Sequence, residues 1–253
     1  MKLEKLDASA PDGYWAVCNG KLLYFADDDA SKLTIRSLST GNTSSYKTEC
    51  EGNAVDVFNS ENHLHMVYSN NNVYHAAALR YHRKTKSFTL IEKTPLENYD
   101  RDYLSRSTMY LPESNKLYSL KSHRTYDISD TGELAACFEH RSQIFHLKNL
   151  GGMTFLKSVH IDDTQTQETC NKVTGSCGEP FALRRATSSF VFGQFVYIVY
   201  ADWKLLKLNM RDRSIEDVTK LVEELSSMNY LWSAQDDQAI YFERLFLIPL
   251  ERA

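Results

Sequence analysis

The chain has 253 residues, 42% hydrophobic, 12% aromatic and 25% charged, a composition that supplies a buried core and excludes a disordered polymer. Its 29 basic and 33 acidic side chains give a formal net charge of -4 with the cations scattered, which leaves no basic footprint for nucleic acid. No apolar run approaches the about 18 residues of a membrane span and the opening MKLEKLDASAPDG carries no apolar h-region, so the expectation is an intracellular, cytoplasmic protein with no membrane partner.

Taken in chain order, short apolar runs rich in Val, Ile, Phe and Tyr alternate with Gly, Asn and Asp turns, the pattern of antiparallel strands. Residues 13–48 read as four strands: YWAVC, KLLYFA, KLTIRSL and TSSYKT, with Asn19-Gly20 as a type I′ hairpin signal. Residues 53–93 repeat the statement as AVDVF, HLHMVYS, VYHAAALRYH and SFTLIEK. Residues 107–138 give TMYL, KLYSL, TYDIS and ELAACF.

The fourth unit, 142–185, is ragged: Gln143–Leu147, Met153–Ile161, a polar passage Asp162–Gly178 whose length and polarity favour mobility, and Pro180–Leu183. The fifth, 188–219, holds Ser189–Phe192, Phe195–Tyr200 and Lys204–Asn209. Between it and the sixth unit, Val218, Leu221, Val222 and Leu225 stand at helical spacing behind Ser214 and Asp217 in N-cap and N3 positions. This predicts one short helix near 215–227, with a strand Ser214–Val218 as the alternative. The sixth unit, 229–253, is one strand short, and Lys2–Asp7 within 1–8 is free to supply it. Pro249 is awkward inside a strand because it donates nothing to a ladder.

First strands begin near residues 14, 54, 107, 143, 188 and 229, a spacing of roughly 43, which is that of a four-stranded propeller blade. The fold expected is a single all-β domain, a six-bladed β-propeller of four-stranded antiparallel blades. Its ring is closed by the N-terminal strand, which covers an otherwise open sheet edge.

Lys116-Leu117-Tyr118 followed by Tyr126-Asp127-Ile128-Ser129-Asp130-Thr131-Gly132 resembles kelch-type β-propellers, and Lys21–Phe25 with Leu38-Ser39-Thr40-Gly41 is a weaker match. The double glycine of that family is missing from its usual place, and the single Gly151-Gly152 falls in the ragged unit. What the resemblance implies is a platform for binding proteins. The WD40 dipeptide and the Asp boxes of sialidases are absent, Asp202-Trp203 having the reversed order.

Candidate chemistry is sparse. His63 and His65 share one face of a strand, with His75 and His82 on the next, but a zinc site needs three or four converging ligands and two histidines on a solvated face are the ordinary alternative. Asp27-Asp28-Asp29 lacks the spacing of a calcium loop and fits a turn, as do Asp162-Asp163 and Asp236-Asp237. Cys18, Cys50, Cys137, Cys170 and Cys177 are odd in number and fit reduced thiols; Cys170 and Cys177 bracket a loop that a disulfide would close under oxidation. Asn42-Thr43-Ser44 matches a glycosylation sequon and is read as a turn. No GxSxG and no phosphate loop occurs, and neither a metal nor a cofactor is expected.

In a propeller the loops from second to third strands gather on one face, and these are Asp27–Ser31, Asn70–Asn72, Ser122–Arg124 and Ala201–Trp203. The residues expected to bind a protein or peptide partner are therefore Trp203, His123, Arg124, Asp27, Asp28, Asp29 and Asn71, with Trp203 as the aromatic anchor type and, as the alternative for that residue, a ring folded back over the edge of its own blade. The function expected is a non-enzymatic interaction platform. The alternative is an enzyme acting on a sugar or lactone through carboxylates or a divalent metal at the channel mouth.

Overall fold

The computed structural model describes residues 4–5, 15–60, 63–82, 84–85, 87–96, 99, 108–112, 114–119, 122–128, 132–140, 143–160, 169–175, 183, 186, 188–200, 204–220, 233–235, 239–242 and 246–249. Strands dominate them, and the chain divides into two compact units, one of Lys2–Tyr99 with Trp232–Pro249 and the other chiefly Asp100–Leu231.

In the first unit, β1 (Glu4–Lys5) precedes two four-stranded antiparallel meanders. One consists of β2 (Trp15–Cys18), β3 (Lys21–Phe25), β4 (Lys32–Ser37) and β5 (Thr43–Lys47); the other of β6 (Asn53–Ser60), β7 (His63–Asn70), β8 (Val73–His82) and β9 (Ser87–Leu96). Asn19 and Gly20 have φ of 48° and 69°, and Asn71 and Asn72 have φ of 50° and 63°. Left-handed backbone at both central residues is what a two-residue hairpin needs, and Asn and Gly are the residues that tolerate it. Ala16, Leu23 and Leu33 of the first meander pack with Ala54, Val57, Met66, Ala77 and Leu79 of the second. Outer strands β5 and β9 meet through one parallel pair, Lys47 with Ser87.

The second unit begins with a three-stranded sheet, β10 (Thr108–Leu111), β11 (Lys116–Ser119) and β12 (Arg124–Asp127). A four-stranded sheet follows, β13 (Glu133–His140), β14 (Gln143–Leu150), β15 (Met153–His160) and β16 (Thr169–Lys172). The last sheet holds β17 (Thr174–Gly175), β18 (Ser188–Phe192), β19 (Phe195–Val199), β20 (Leu205–Asn209) and β21 (Ser214–Asp217), in the order β17-β21-β20-β19-β18. Ala136, Leu147 and Leu156 pack with Val196, Ile198, Leu208 and Ile215 to form the core.

Three expectations change here. Glu133–His140 is the first strand of the four-stranded sheet rather than the last strand of the one before it, because it pairs along its length with β14. Ser214–Asp217 is a strand, not the start of a helix: Leu208 pairs with Ile215 and Leu206 with Asp217, so the backbone satisfies the edge of β20 while Ile215 is buried. Residues 221–227 of the expected helix lie outside the described residues. Within the polar passage, Thr169–Lys172 pairs with β15 and Thr174–Gly175 with β21, so this part is built into two sheets.

The chain returns to the first unit with β22 (Ser233–Gln235), β23 (Ala239–Phe242) and β24 (Phe246–Pro249). Their sheet has the order β1-β24-β23-β22, so the first strand of the chain supplies the outer member, as its placement before an incomplete unit predicts. Pro249 is tolerated as the final residue of β24.

A repeat is visible in the register. Gly132 stands 80 residues after Gly52, and the same offset relates the pairing of β6 with β7 to that of β13 with β14, including the bulges at Ala54/Asp56 and Leu134/Ala136.

Candidate functional site

The acidic loop between β3 and β4 is a single 3-10 turn, Ala26–Asp28, in which Asp27 and Asp28 hold φ of 58° and 54°. Both side chains, with that of Asp29, are exposed. The loop is tied down rather than loose. The Ser31 N–H donates to Asp29 Oδ1 at 2.9 Å, and the Lys32 N–H to the Asp29 carbonyl at 3.2 Å. Hydrogen bonds from the Ser31 hydroxyl and N–H hold the Asp29 carboxyl below the usual carboxylate range.

The turn docks on the connection that leads from β5 to β6. The Ala30 N–H donates to the Gly52 carbonyl at 3.0 Å, the Thr48 N–H to the Ser31 carbonyl at 2.8 Å, and the Thr48 hydroxyl to the Ala30 carbonyl. Asp29 and Asn53 form an antiparallel bridge, and Asn53 pairs on its other side with Ser69, next to the Asn70–Asn72 turn. Gly52 has φ of 121°, and a Cβ there would lie 2.2 Å from the Ser69 carbonyl oxygen. Gly52 and Asn53 are thus the wedge between the acidic loop and the asparagine turn, and Asp27, Asp28, Asp29, Gly52, Asn53, Asn71 and Asn72 form one exposed polar rim.

Beneath the rim lies a packed cluster. Cys50 is buried, and burial pushes its thiol up to about 11 against the weaker opposing pull of Lys93. The buried Tyr68 ring stacks on His75 with centroids 5.3 Å apart, and Lys93 Nζ stands 5.4 Å from the same ring. Desolvation, then the charge of Lys93, lowers the His75 pKa. Glu49 Oε2 accepts the Leu90 N–H at 2.9 Å, which fixes the connection on its far side and occupies a donor of β9.

His123 and Arg124 belong to the second unit, in and after the β11–β12 turn. His123 has φ of 53°, and its Nδ1 lies 3.0 Å from the Tyr118 hydroxyl. The Ser119 hydroxyl donates to Glu139 Oε2 at 3.0 Å and accepts the Ser122 N–H at 3.1 Å, while Ser122 Oγ lies 3.0 Å from the Tyr126 hydroxyl. This network braces the turn and leaves Arg124 exposed at its end.

Of the residues expected to bind a partner, the structure brings Asp27, Asp28, Asp29 and Asn71 into one rim, and braces His123 and Arg124 in the other unit. Trp203 lies outside the described residues. The wedge residues Gly52 and Asn53 escaped the sequence reading, although the spacing of Gly52 and Gly132 carries the signal. His63 and His65 do approach, with ring centroids 6.3 Å apart, and of the two His65 is buried, at 3% exposure, while His63 is partly exposed. Among the described residues no group of three or more His, Cys, Asp or Glu side chains is arranged to hold a metal ion. No described helix is long and apolar enough to cross a membrane.

No family model matches the chain, and no curated protein does. Solved structures do. The chain is similar to the PQQ-bound aldose sugar dehydrogenase of Streptomyces coelicolor at 8% identity and a TM-score of 0.50, over 95% of this chain and 91% of that one. It is similar to PorZ, a surface component of the type-IX secretion system of Porphyromonas gingivalis, at 12% identity and a TM-score of 0.50, over 95% of this chain and 31% of that one. These likenesses give the chain an all-β, propeller-like fold.

Proposed function

We propose that the chain is a non-enzymatic interaction platform, a six-bladed, kelch-like propeller that binds a protein or peptide through one face. The observation that carries the reading is the rim held by Gly52 and Asn53. There Asp27 and Asp28 keep left-handed backbone while their side chains face solvent, beside the exposed Asn71-Asn72 hairpin turn. Backbone of this kind costs stability, and such conformations concentrate at binding surfaces because the geometry is needed there. The four-stranded meanders and the first strand paired with β24 support the blade count. His123, Arg124 and Trp203, which belong to the other unit, are proposed as partner contacts in their own right. The two solved structures of similar fold include an enzyme and a secretion-system component, so the fold leaves the choice to the site.

The test is affinity purification with the wild type beside an Asp27→Ser/Asp28→Ser variant and a Trp203→Ala variant. A stoichiometric partner recovered by the wild type and lost by a variant with an unchanged melting temperature is the expected result. An identical set of bound proteins for all three chains overturns the reading.

A further inference from the structure

We propose that the outer face of the sheet where β5 meets β9 docks an acidic peptide, extended and with carboxylates at alternate positions. Side chains alternate across a sheet, and in these strands Leu33, Ile35, Tyr46, Leu79 and Phe88 pack into the core. Lys32, Arg36, Lys47, Arg80 and His82 therefore fall on the opposite face, where all are exposed except the half-buried Arg36. The strands make neighbours of cations that are far apart in sequence. Lys32 pairs with Lys47, Lys47 with Ser87 and Ser87 with His82, which is one row across four strands. Arg36 continues it along β4 at one end and Arg80 along β8 at the other, and His82 Nε2 lies 2.7 Å from Thr89 Oγ1 on the same face.

The row works against the fold. Like charges directly opposite each other destabilise a ladder, and Lys32 and Lys47 are such a pair. Among the described residues no carboxylate stands within ion-pair distance of Lys32, Arg36, Lys47 or Arg80, and Asp29 feels Lys32 only at longer range. On this face of the four strands the one carboxylate among the described residues is Glu92, opposite Ala78. An anion supplied by a partner removes the repulsion, and the dimensions select its form. Neighbouring strands lie about 4.8 Å apart, so the row spans about 14 Å, which an extended chain covers with three carboxylates at alternate positions about 6.7 Å apart. The surroundings limit its length. Asp27, Asp28 and Asp29 precede Lys32, Glu49 and Glu51 follow Lys47, and all five are exposed. A nucleic acid duplex, with a charge about every 1.7 Å, or an anionic membrane would carry like charge onto these carboxylates, whereas a short peptide ends with the row. The proposal does not depend on what binds at the Asp27–Asn71 rim.

The experiment is fluorescence anisotropy of the full-length chain with a labelled peptide that alternates glutamate and serine, beside its counterpart with lysine for glutamate. The acidic peptide is expected to bind, more weakly as salt is raised, and the basic one is not. Lys47→Gln and Arg80→Gln should each weaken binding about fivefold, while Lys21→Gln, an exposed cation on the other face of the same sheet, should leave it unchanged. Melting temperature is read on the same samples: Lys47→Gln should hold or raise it, because a like-charge pair is removed, and a lowered value would show that the fold needs this charge and overturn the reading. Equal binding of the two peptides, or acidic-peptide binding indifferent to Lys47→Gln and Arg80→Gln, overturns it too. Duplex DNA and anionic phosphatidylserine vesicles are tested in parallel, and binding of either that is tighter than the peptide's and lost in the same variants would assign the row to that class instead.

Discussion

Gly52 approaches Ser69 so closely that a Cβ on the glycine would stand 2.2 Å from the Ser69 carbonyl oxygen. Gly132 repeats the relationship with Asn149, at 2.4 Å. Both glycines have φ in the left-handed region, 121° and 84°, and both precede a strand that carries a bulge at the same offset. The contact is with backbone in each case, so no side chain can swing aside. Gly52→Ala and Gly132→Ala are expected to lose about 2–4 kcal/mol through strain and displacement of the neighbouring strand. Gly20→Ala is the control: its φ is 69° but its Cβ would meet nothing within 4 Å, and a loss of about 1 kcal/mol is expected. Thermal melts of the three variants check the ranking, and equal shifts for all three would remove the close approach as the cause.

Hairpins were the legible part of this chain. Asn19-Gly20 and the Asn70–Asn72 stretch announce positive φ at both turn positions, and alternating apolar residues on either side fix which strands pair. The partner of β1 was legible too, because Lys2–Asp7 had no neighbour in sequence and the last unit lacked a strand. Glu133–His140 was not, since alternation identifies a strand without saying which sheet it joins. Ser214–Asp217 misled because a helical spacing that begins at Val218 was read backwards across a strand whose stability comes from pairing with β20. At the rim, the Asp and Asn turns were readable as exposed loops. Their docking on Asn53 was not, because the bridge joins residues from different meanders and leaves no local pattern.

Cys50 is expected to resist alkylation in the folded protein. Cys50 is 1% exposed and burial pushes its thiol up to about 11, so little thiolate is present at neutral pH. Reaction of Cys50 with iodoacetamide should therefore follow unfolding, and mass mapping of labelled cysteines at neutral pH measures it. Labelling of native Cys50 as fast as a small-molecule thiol would contradict the burial.

His75 makes stability depend on pH. Desolvation and then Lys93 lower its folded pKa below the ordinary 6.5. The unfolded chain therefore binds the proton more readily than the folded one. The contribution of neutral His75 is fully present above 6.5 and is lost as the pH falls through its lowered folded value. His75→Gln should flatten that part of the melting-temperature profile, and Lys93→Gln should move it toward 6.5. A profile unchanged in both variants would assign the acid sensitivity to other groups.

Asp27 and Asp28 set stability against binding. Each holds an exposed side chain on left-handed backbone, where glycine carries no Cβ penalty. Asp27→Gly and Asp28→Gly are each expected to change stability by less than about 1 kcal/mol, toward stabilisation where relief of the Cβ strain exceeds the added freedom of the unfolded chain. Asp29→Gly should behave differently, because the Asp29 carboxylate accepts the Ser31 N–H and its φ is -78°. That variant loses a capping bond and gains unfolded-state freedom, so a loss of about 1 kcal/mol is expected. If the rim binds a partner, the two substitutions that leave the fold intact should abolish capture while Asn42→Gly, in an exposed turn of the same unit, leaves it unchanged. Melting temperatures read beside the captured fraction separate the two effects, because a fold defect lowers both and a binding defect lowers only the second.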